Sequence, residues 1–341
     1  MNTKILSPRM GDMLKVGSIC AVYFSVTLPA FAAGPLVIDK QSNVVIHGQT
    51  ISNPTGDCIT VRNGSFNIKI ENSTIGPCGG NGINIVSSNT ITIQDVSIFG
   101  AVGNSINVAK ADNVLIRKNM TLGGSSSVYA QDVTQIRVER NHFFNAKGPR
   151  PRGNFVQFNR VRGAGNLIKC NIGRNAFDQS VPEDGISLYD SSGTSASPIV
   201  ISGNKLTGGG PSVSGGGIML GDGGGSYQVA KNNVLINPGQ YGMAIAGGNN
   251  QQLLNNTIFS KQLPFTNVGL YAWNQDFTPC FAVTASGNQV NFRNKSGGSN
   301  GGWNGGNCGP ITGWTTNNFN AATLTEAGTD AMIPSECLID S

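Results

Sequence analysis

The chain has 341 residues, 47 of them Gly and 15 Pro, and only 12% are charged. A hydrophobic fraction of 38% is enough for a core and argues against disorder, and Gly has no every-third-residue period, which excludes collagen. The formal net charge of +5 falls to +3 without residues 1–32 (20 basic and 17 acidic residues remain), too small to point to nucleic acid.

The N-terminus carries Lys4, Arg9 and Lys15 ahead of an apolar run from Val16 to Phe31 that ends in Ala30-Phe31-Ala32-Ala33. That order, a basic region, an apolar region and an Ala-x-Ala site, is that of a secretory leader. Cleavage after Ala32 is expected, leaving residues 33–341 with no membrane attachment, secreted or periplasmic. Six Cys then remain: Cys58, Cys78, Cys170, Cys280, Cys308 and Cys337. An even number in an exported chain permits disulfides. Cys58–Cys78 and Cys280–Cys308 are the preferred local pairs, with Cys170 a candidate free thiol.

From residue 46 onward one pattern recurs: an apolar residue, four mostly polar ones, and another apolar residue. It reads Ile46-HGQT-Ile51, Ile70-ENST-Ile75, Ile93-QDVS-Ile98, Val138-ERNH-Phe143, Ile201-SGNK-Leu206 and Leu253-LNNT-Ile258. Looser copies start at Ile116, Ile172, Val229 and Ala285. Each is followed by a short strand of alternating character, such as Cys58–Arg62, Gly82–Val86, Phe155–Phe158 or Gly185–Tyr189, with one face buried and the other exposed. Steps from Ile46 through Ile70, Ile93 and Ile116 to Val138 are 24, 23, 23 and 22 residues. A period of this size, built from strands without an amphipathic helix, is one turn of a solenoid. Asn72, Asn119, Asn141, Asn175, Asn204, Asn233 and Asn255 fall at or near the corner of the pattern, where stacked amides can bond along the axis. On these residues the chain resembles, from Leu36 to Val290, the right-handed parallel β-helix (pectin-lyase-like) superfamily. The expectation is an all-β, single-domain solenoid of about ten coils over residues 33–293, with a Gly/Asn-rich segment, 294–341, covering its end.

Past Val138 the step to Ile172 grows to 34 residues, and the next two are 29 and 28. The central coils therefore carry long loops, and function tends to sit on loops held by a rigid scaffold. Between Arg137 and Arg174 lie nine basic residues and one acid, Glu139, a concentration that suits an anionic polymer. Arg150, Arg152, Arg160 and Arg162 are candidate binding residues in this stretch. His142 is one of two His in the chain, and its ordinary pKa near neutrality suits proton transfer.

Glu183-Asp184 then precede a strand in which Ile186 and Leu188 read as inward and Ser187 and Tyr189 as outward. Gln157 and Asn159 point the same way from the preceding coil, so the pairs Gln157/Ser187 and Asn159/Tyr189 share one exposed surface. The Gly-rich runs 208–217 and 221–225 read as surface loops, since neither carries the Lys and helix of a phosphate-binding loop. Tyr241, Tyr271 and Trp273 are candidates for sugar stacking or for packing.

The superfamily includes polysaccharide lyases, uronate epimerases, glycoside hydrolases, phage tailspikes and non-catalytic members. The Gly-His-Gly and Arg-Ile-Lys segments of polygalacturonase-type hydrolases and the Asp-Pro-His of alginate epimerases are absent here. The resemblance thus implies an enzyme on an acidic, uronate-containing polysaccharide, a lyase ahead of a C5-epimerase. Arg150 and Arg152 would neutralise the uronate, Lys169, His142 or Tyr189 would act as base or acid, and Glu183 and Asp184 would hold Ca2+ or orient a basic residue. A non-catalytic glycan-binding protein and a hydrolase working through Glu183 and Asp184 are the alternatives.

Overall fold

The computed structural model describes residues 34–212 and 214–338, so the expected leader lies outside the described residues. Each coil contributes three strands: a four-residue strand on a first face (Ile59–Arg62), a longer strand on a second (Phe66–Glu71) and a short strand on a third (Thr74–Cys78). Every coil pairs in parallel with the next, and the third face is a sheet of ten strands, one per coil. The other two faces run together as a 20-stranded sheet. This is the expected parallel β-helix.

The core follows from the alternation of each strand. On the first face Ile59, Ile83, Ile106, Val128, Val156, Ile186 and Ile218 stack in register and are fully buried. The expected anchors of the second and third faces, including Ile70, Ile75, Val138, Phe143, Ile201 and Leu206, are buried likewise. Two anchors are corrected. Val138 stacks on Ile168 rather than Ile172, and Ile201 on Ala230 rather than Val229. Gly173 occupies the inward position of its third-face strand. A Cβ there would lie 2.5 Å from the Phe155 ring, which fills that space and stacks on Phe143 at 6.2 Å.

A buried amide ladder runs through Asn119, Asn141, Asn171, Asn204, Asn233, Asn256, Asn288 and Asn317, each Nδ2 donating to the next Oδ1 at 2.7–3.0 Å. Its sequence steps are 22, 30, 33, 29, 23, 32 and 29, so the long central coils are real. Asn72 and Asn255 are not members. They hold the left-handed conformation one residue earlier, with φ of 48° and 52°, where a short polar side chain is tolerated. Asn175 caps a different corner, accepting from the Ala146 N–H at 3.0 Å.

The disulfides Cys58–Cys78 and Cys280–Cys308 are present, and Cys170 is not a free thiol: it pairs with Cys337, 167 residues away. Residues after 293 add an incomplete coil, with Gly302–Asn304 pairing on Val268–Ala272, and Ile311, Trp314 and Phe319 pack on the apolar end. The chain then doubles back along the solenoid. Glu326 meets Lys261 and Asn237, Asp330 meets Arg174 and Lys205, and the disulfide fixes the strap at Cys170. Among the described residues no helix is long and apolar enough to cross a membrane.

Candidate active-site groove

The outward positions of the first face form a continuous floor. Tyr129, Gln157, Ser187, Met219, Ala244, Tyr271 and Trp303 are successive register partners. With stacked strands about 4.8 Å apart, seven positions span roughly 29 Å along the solenoid. Loops entering the first face wall one side of this floor and loops leaving it wall the other, enclosing a groove of about 670 Å³. Arg150, Arg152, Asn154, Gln157, Asn159, Glu183, Asp184, Ser187, Tyr189, Asp222, Tyr271, Trp273 and Trp303 are among its lining residues.

Asp184 is 5% exposed. Its Oδ1 accepts from the Gly216 N–H at 3.0 Å and from the Tyr241 hydroxyl. Gly216 makes this possible, since a Cβ there would lie 2.5 Å from the Tyr241 ring. Burial, opposed by the Tyr241 hydrogen bond and reinforced by the charges of Glu183 and Asp222, pushes the Asp184 carboxyl up to about 7. Burial also holds the Tyr241 phenol well above its ordinary value, so it remains a donor to Asp184. Glu183 is held by two hydroxyls, those of Ser212 and Ser214, each at 2.5 Å.

Asp222 comes from the next coil and was not singled out in the sequence. The run Gly221–Gly225 is not a loop but part of a 14-residue strand, Ile218–Lys231. Its register shifts on either side of Tyr189, which pairs with Asp222. Gly221 has φ of +70°, and a Cβ there would lie 2.0 Å from the Gly247 carbonyl oxygen. The extra residues carry Asp222 over the groove. Burial, then the charges of Asp276 and Glu183, partly offset by Arg150, push its carboxyl up to about 6. A single acid set among four glycines was the available signal.

The aromatic candidates divide. Tyr241 is buried and serves Asp184, and it meets Tyr271 edge-on at 5.2 Å. Tyr271, Trp273 and Trp303 form one cluster at the far end of the groove, with the two indoles 5.9 Å apart. Trp273 and Trp303 are 43% and 47% exposed, so they present open ring surface.

The basic cluster does not assemble. Only Arg150 and Arg152 line the groove, and Arg152 lies 3.9 Å over the Tyr129 ring with a hydrogen bond to Gln157 at 3.2 Å. Arg160 and Arg162 instead pair with Asp132 and Asp190, each at 2.7 Å. Lys169 stands on the second face in a row between Glu139 and Ser202. His142 stands on the third face between Met120 and Ile172. Local desolvation, then the Arg174 charge, lowers its pKa from 6.5. The cause is the three-faced coil: neighbours in sequence are turned to different sides of the solenoid. Glu183 and Asp184 are engaged by hydroxyls and a backbone N–H, and no group of three potential metal ligands occurs among the described residues.

The chain belongs to the right-handed β-helix family, whose description, Right handed beta helix region, matches residues 35–225. No curated protein matches the sequence. Among solved structures the chain is similar to a DFA-IIIase from Arthrobacter chlorophenolicus A6 without its lid, with 12% identity over 77% of this chain and 64% of that one at a TM-score of 0.48. It is similar to the catalytic domain of a GH87 alpha-1,3-glucanase, with 12% identity over 84% of this chain and 64% of that one at 0.47. The tailspike of E. coli bacteriophage HK620, solved with a pentasaccharide, shares 10% identity over 78% of this chain and 62% of that one at 0.40. These are likenesses of fold, and the chain spans less than two thirds of the length of each of these three.

Proposed function

We propose that this protein is an exported enzyme that hydrolyses glycosidic bonds in a glycan lying along the first face. The observation that carries the reading is two desolvated carboxyls, Asp184 and Asp222, from adjacent coils in one groove walled by amides and aromatic rings. A pair of carboxyls both raised by burial can divide acid and base roles near neutral pH. Asp184, the more deeply buried of the two, is assigned as the proton donor. Its Oδ1 is committed to Tyr241 and Gly216, which leaves Oδ2 to carry the proton to the glycosidic oxygen as the C–O bond breaks. Asp222 is ionised at neutral pH and takes the proton of the water that attacks the anomeric carbon. Gln157, Asn159 and Gln275 offer hydrogen bonds to sugar hydroxyls, and Trp273 and Trp303 offer faces for stacking. The disulfides fit an oxidising compartment.

Elimination from a uronate is less well served. It needs the substrate carboxylate neutralised, whereas the carboxylates of Glu183, Asp222 and the nearby Asp276 already outnumber the two guanidinium groups of the groove. The discriminating test is incubation with panels of neutral and uronate glycans, following reducing ends and the ultraviolet absorbance of an unsaturated product. Hydrolysis gives reducing ends without absorbance. Asp184→Asn is expected to lower kcat by about 10²–10⁴-fold. An absorbance rise would restore the lyase reading, and binding without product would leave a non-catalytic glycan-binding protein.

A further inference from the structure

The floor of the groove does not stop at Tyr129. Its register continues backward through Asn107, Asn84 and Thr60, on the strands Ile106–Ala109, Ile83–Val86 and Ile59–Arg62. From Thr60 to Trp303 this row of outward positions holds no charged side chain. A row of the second face, by contrast, runs Glu71, Gln94, Arg117, Glu139 and Lys169. The uncharged row ends at Val37 on the first strand, whose side chain offers no hydrogen bond.

The amides of the early floor are fixed before any ligand arrives. Asn107 Nδ2 donates to Asn84 Oδ1 at 2.9 Å, Asn84 Nδ2 to Asp57 Oδ2 at 2.7 Å, and Asn104 Nδ2 to Asn107 Oδ1 at 3.1 Å. Asp57 Oδ1 accepts from the Asn81 N–H at 2.6 Å and from Asn81 Nδ2 at 3.0 Å, so its charge is answered inside the network. A carboxamide has two N–H groups and two carbonyl lone pairs. Asn84 and Asn107 use one of each in the network and are only half-buried, which leaves one donor and one acceptor apiece for a ligand. Asn104 stands two residues ahead of Ile106 as Asp184 stands two ahead of Ile186. It is 8% exposed, and its Oδ1 is buried without a hydrogen-bond partner among the described residues. Such an orphan calls for an explanation.

These positions ask for a ligand that both donates and accepts, carries no charge and repeats along the solenoid axis. A charged ligand meets no counter-charge there, and an apolar one leaves the amides unpaired. The hydroxyls of a sugar chain already seated in the groove meet the demand by continuing in a straight line. We infer that Thr60, Asn84, Asn104 and Asn107 form a second binding tract for the same glycan, and that the substrate is a long neutral polymer cut at internal bonds. Three more strands at a spacing of about 4.8 Å extend the floor by roughly 14 Å. A pyranose residue is about as long as one such spacing, so the tract holds three further residues. Rigid amides bind at little cost in ordering. This rests on the glycan reading above and names the length and charge of the substrate for it.

The test is chain-length dependence. The probes are size-fractionated heptasaccharides and decasaccharides of the malto, isomalto, laminari and xylo series, and of any other neutral glycan that the protein cleaves. A heptasaccharide matches the seven positions of the groove, and a decasaccharide also reaches Thr60. For the cleaved series kcat/KM is expected to be about tenfold or more higher for the decasaccharide, the equivalent of one or two net hydrogen bonds. Asn84→Ala with Asn107→Ala should bring that ratio close to one. A loss of fold alone would lower both rates without changing their ratio. Should the double variant not fold, the ratio in the parent protein decides, together with the polymer: its viscosity should fall well before reducing ends accumulate. Equal kcat/KM for both lengths, or release of only mono- and disaccharides from the polymer, would overturn the tract and leave the glycan reading intact. No hydrolysis and no binding across the panel would overturn both.

Discussion

Replacing Asp184 by asparagine removes a titrating group without changing its shape, and the burial of Asp184 converts that change into a pH-dependent stability difference. The carboxyl is raised from 3.8 to about 7 in the folded protein. Between those pH values the folded state holds one more proton than the unfolded chain, so this group's contribution to stability is fully present below pH 3.8 and is lost as pH rises through about 7. At about 1.36 kcal/mol per pH unit the loss is on the order of 4 kcal/mol. Asparagine keeps an acceptor for Tyr241 and Gly216 and carries no charge, so it escapes this loss. Asp184→Asn should match the parent protein near pH 4 and exceed it near pH 8. For a cooperative unit of about 300 residues the excess corresponds to a Tm difference of roughly 6 °C. Calorimetric melts of both proteins at a series of pH values measure it directly. A difference that is constant with pH, or a variant that is less stable at pH 8, would refute the assignment of Asp184 as a desolvated carboxyl whose proton is retained near neutrality.

Other consequences follow from the same geometry. The pH dependence of kcat/KM should be bell-shaped, with apparent limbs near 6 and 7 belonging to the Asp222–Asp184 pair. A profile flat from pH 5 to 8 would exclude the pair from the chemistry. Gly216→Ala should displace the Tyr241 ring, costing about 1–3 kcal/mol in a denaturant melt and lowering kcat, whereas His142→Ala on the third face should leave activity unchanged. Asn171→Leu interrupts the ladder between Asn141 and Asn204 and should destabilise by at least about 1–3 kcal/mol for each buried partner left unpaired, read from the urea midpoint. Cys337→Ser releases the strap that closes a 167-residue span. It should lower stability by up to about 5 kcal/mol in the chain-entropy account and open residues 320–338 to limited proteolysis.

The solenoid was legible because its cause is local and repeated. A period-two alternation and a return of Ile or Val every 22–24 residues leave little choice but stacked coils, and Ile70, Val138 and Ile201 were identified on that basis. The pattern blurred where Gly173 replaces the expected apolar residue and where Thr121 hides a buried hydroxyl bonded to Ser127 at 2.9 Å. There the partner is a side chain just ahead of a first-face strand, Phe155 for Gly173 and Ser127 for Thr121, which periodicity cannot show. Alternation put Gln157, Asn159, Ser187 and Tyr189 on one surface, and register pairs them along the groove, although Gln157 and Ser187 are buried rather than exposed. Asp222 was hidden, because its position depends on register shifts inside a Gly-rich strand. Clustered charge was misleading: Arg160, Arg162 and Lys169 lie near Arg150 and Arg152 in sequence, yet each corner of the coil turns the next strand to another face. The Cys170–Cys337 bond was likewise invisible to spacing, since it depends on a C-terminal strap that reverses direction.

The most direct test of the central claim is a crystal structure of the Asp222→Asn protein with a glycan that the parent protein cleaves. The sugar chain should lie along the floor from Tyr129 to Trp303, with a glycosidic oxygen within hydrogen-bond reach of Asp184 Oδ2. A chain bound on the second or third face, or one whose glycosidic oxygens all lie beyond reach of Asp184, would contradict it.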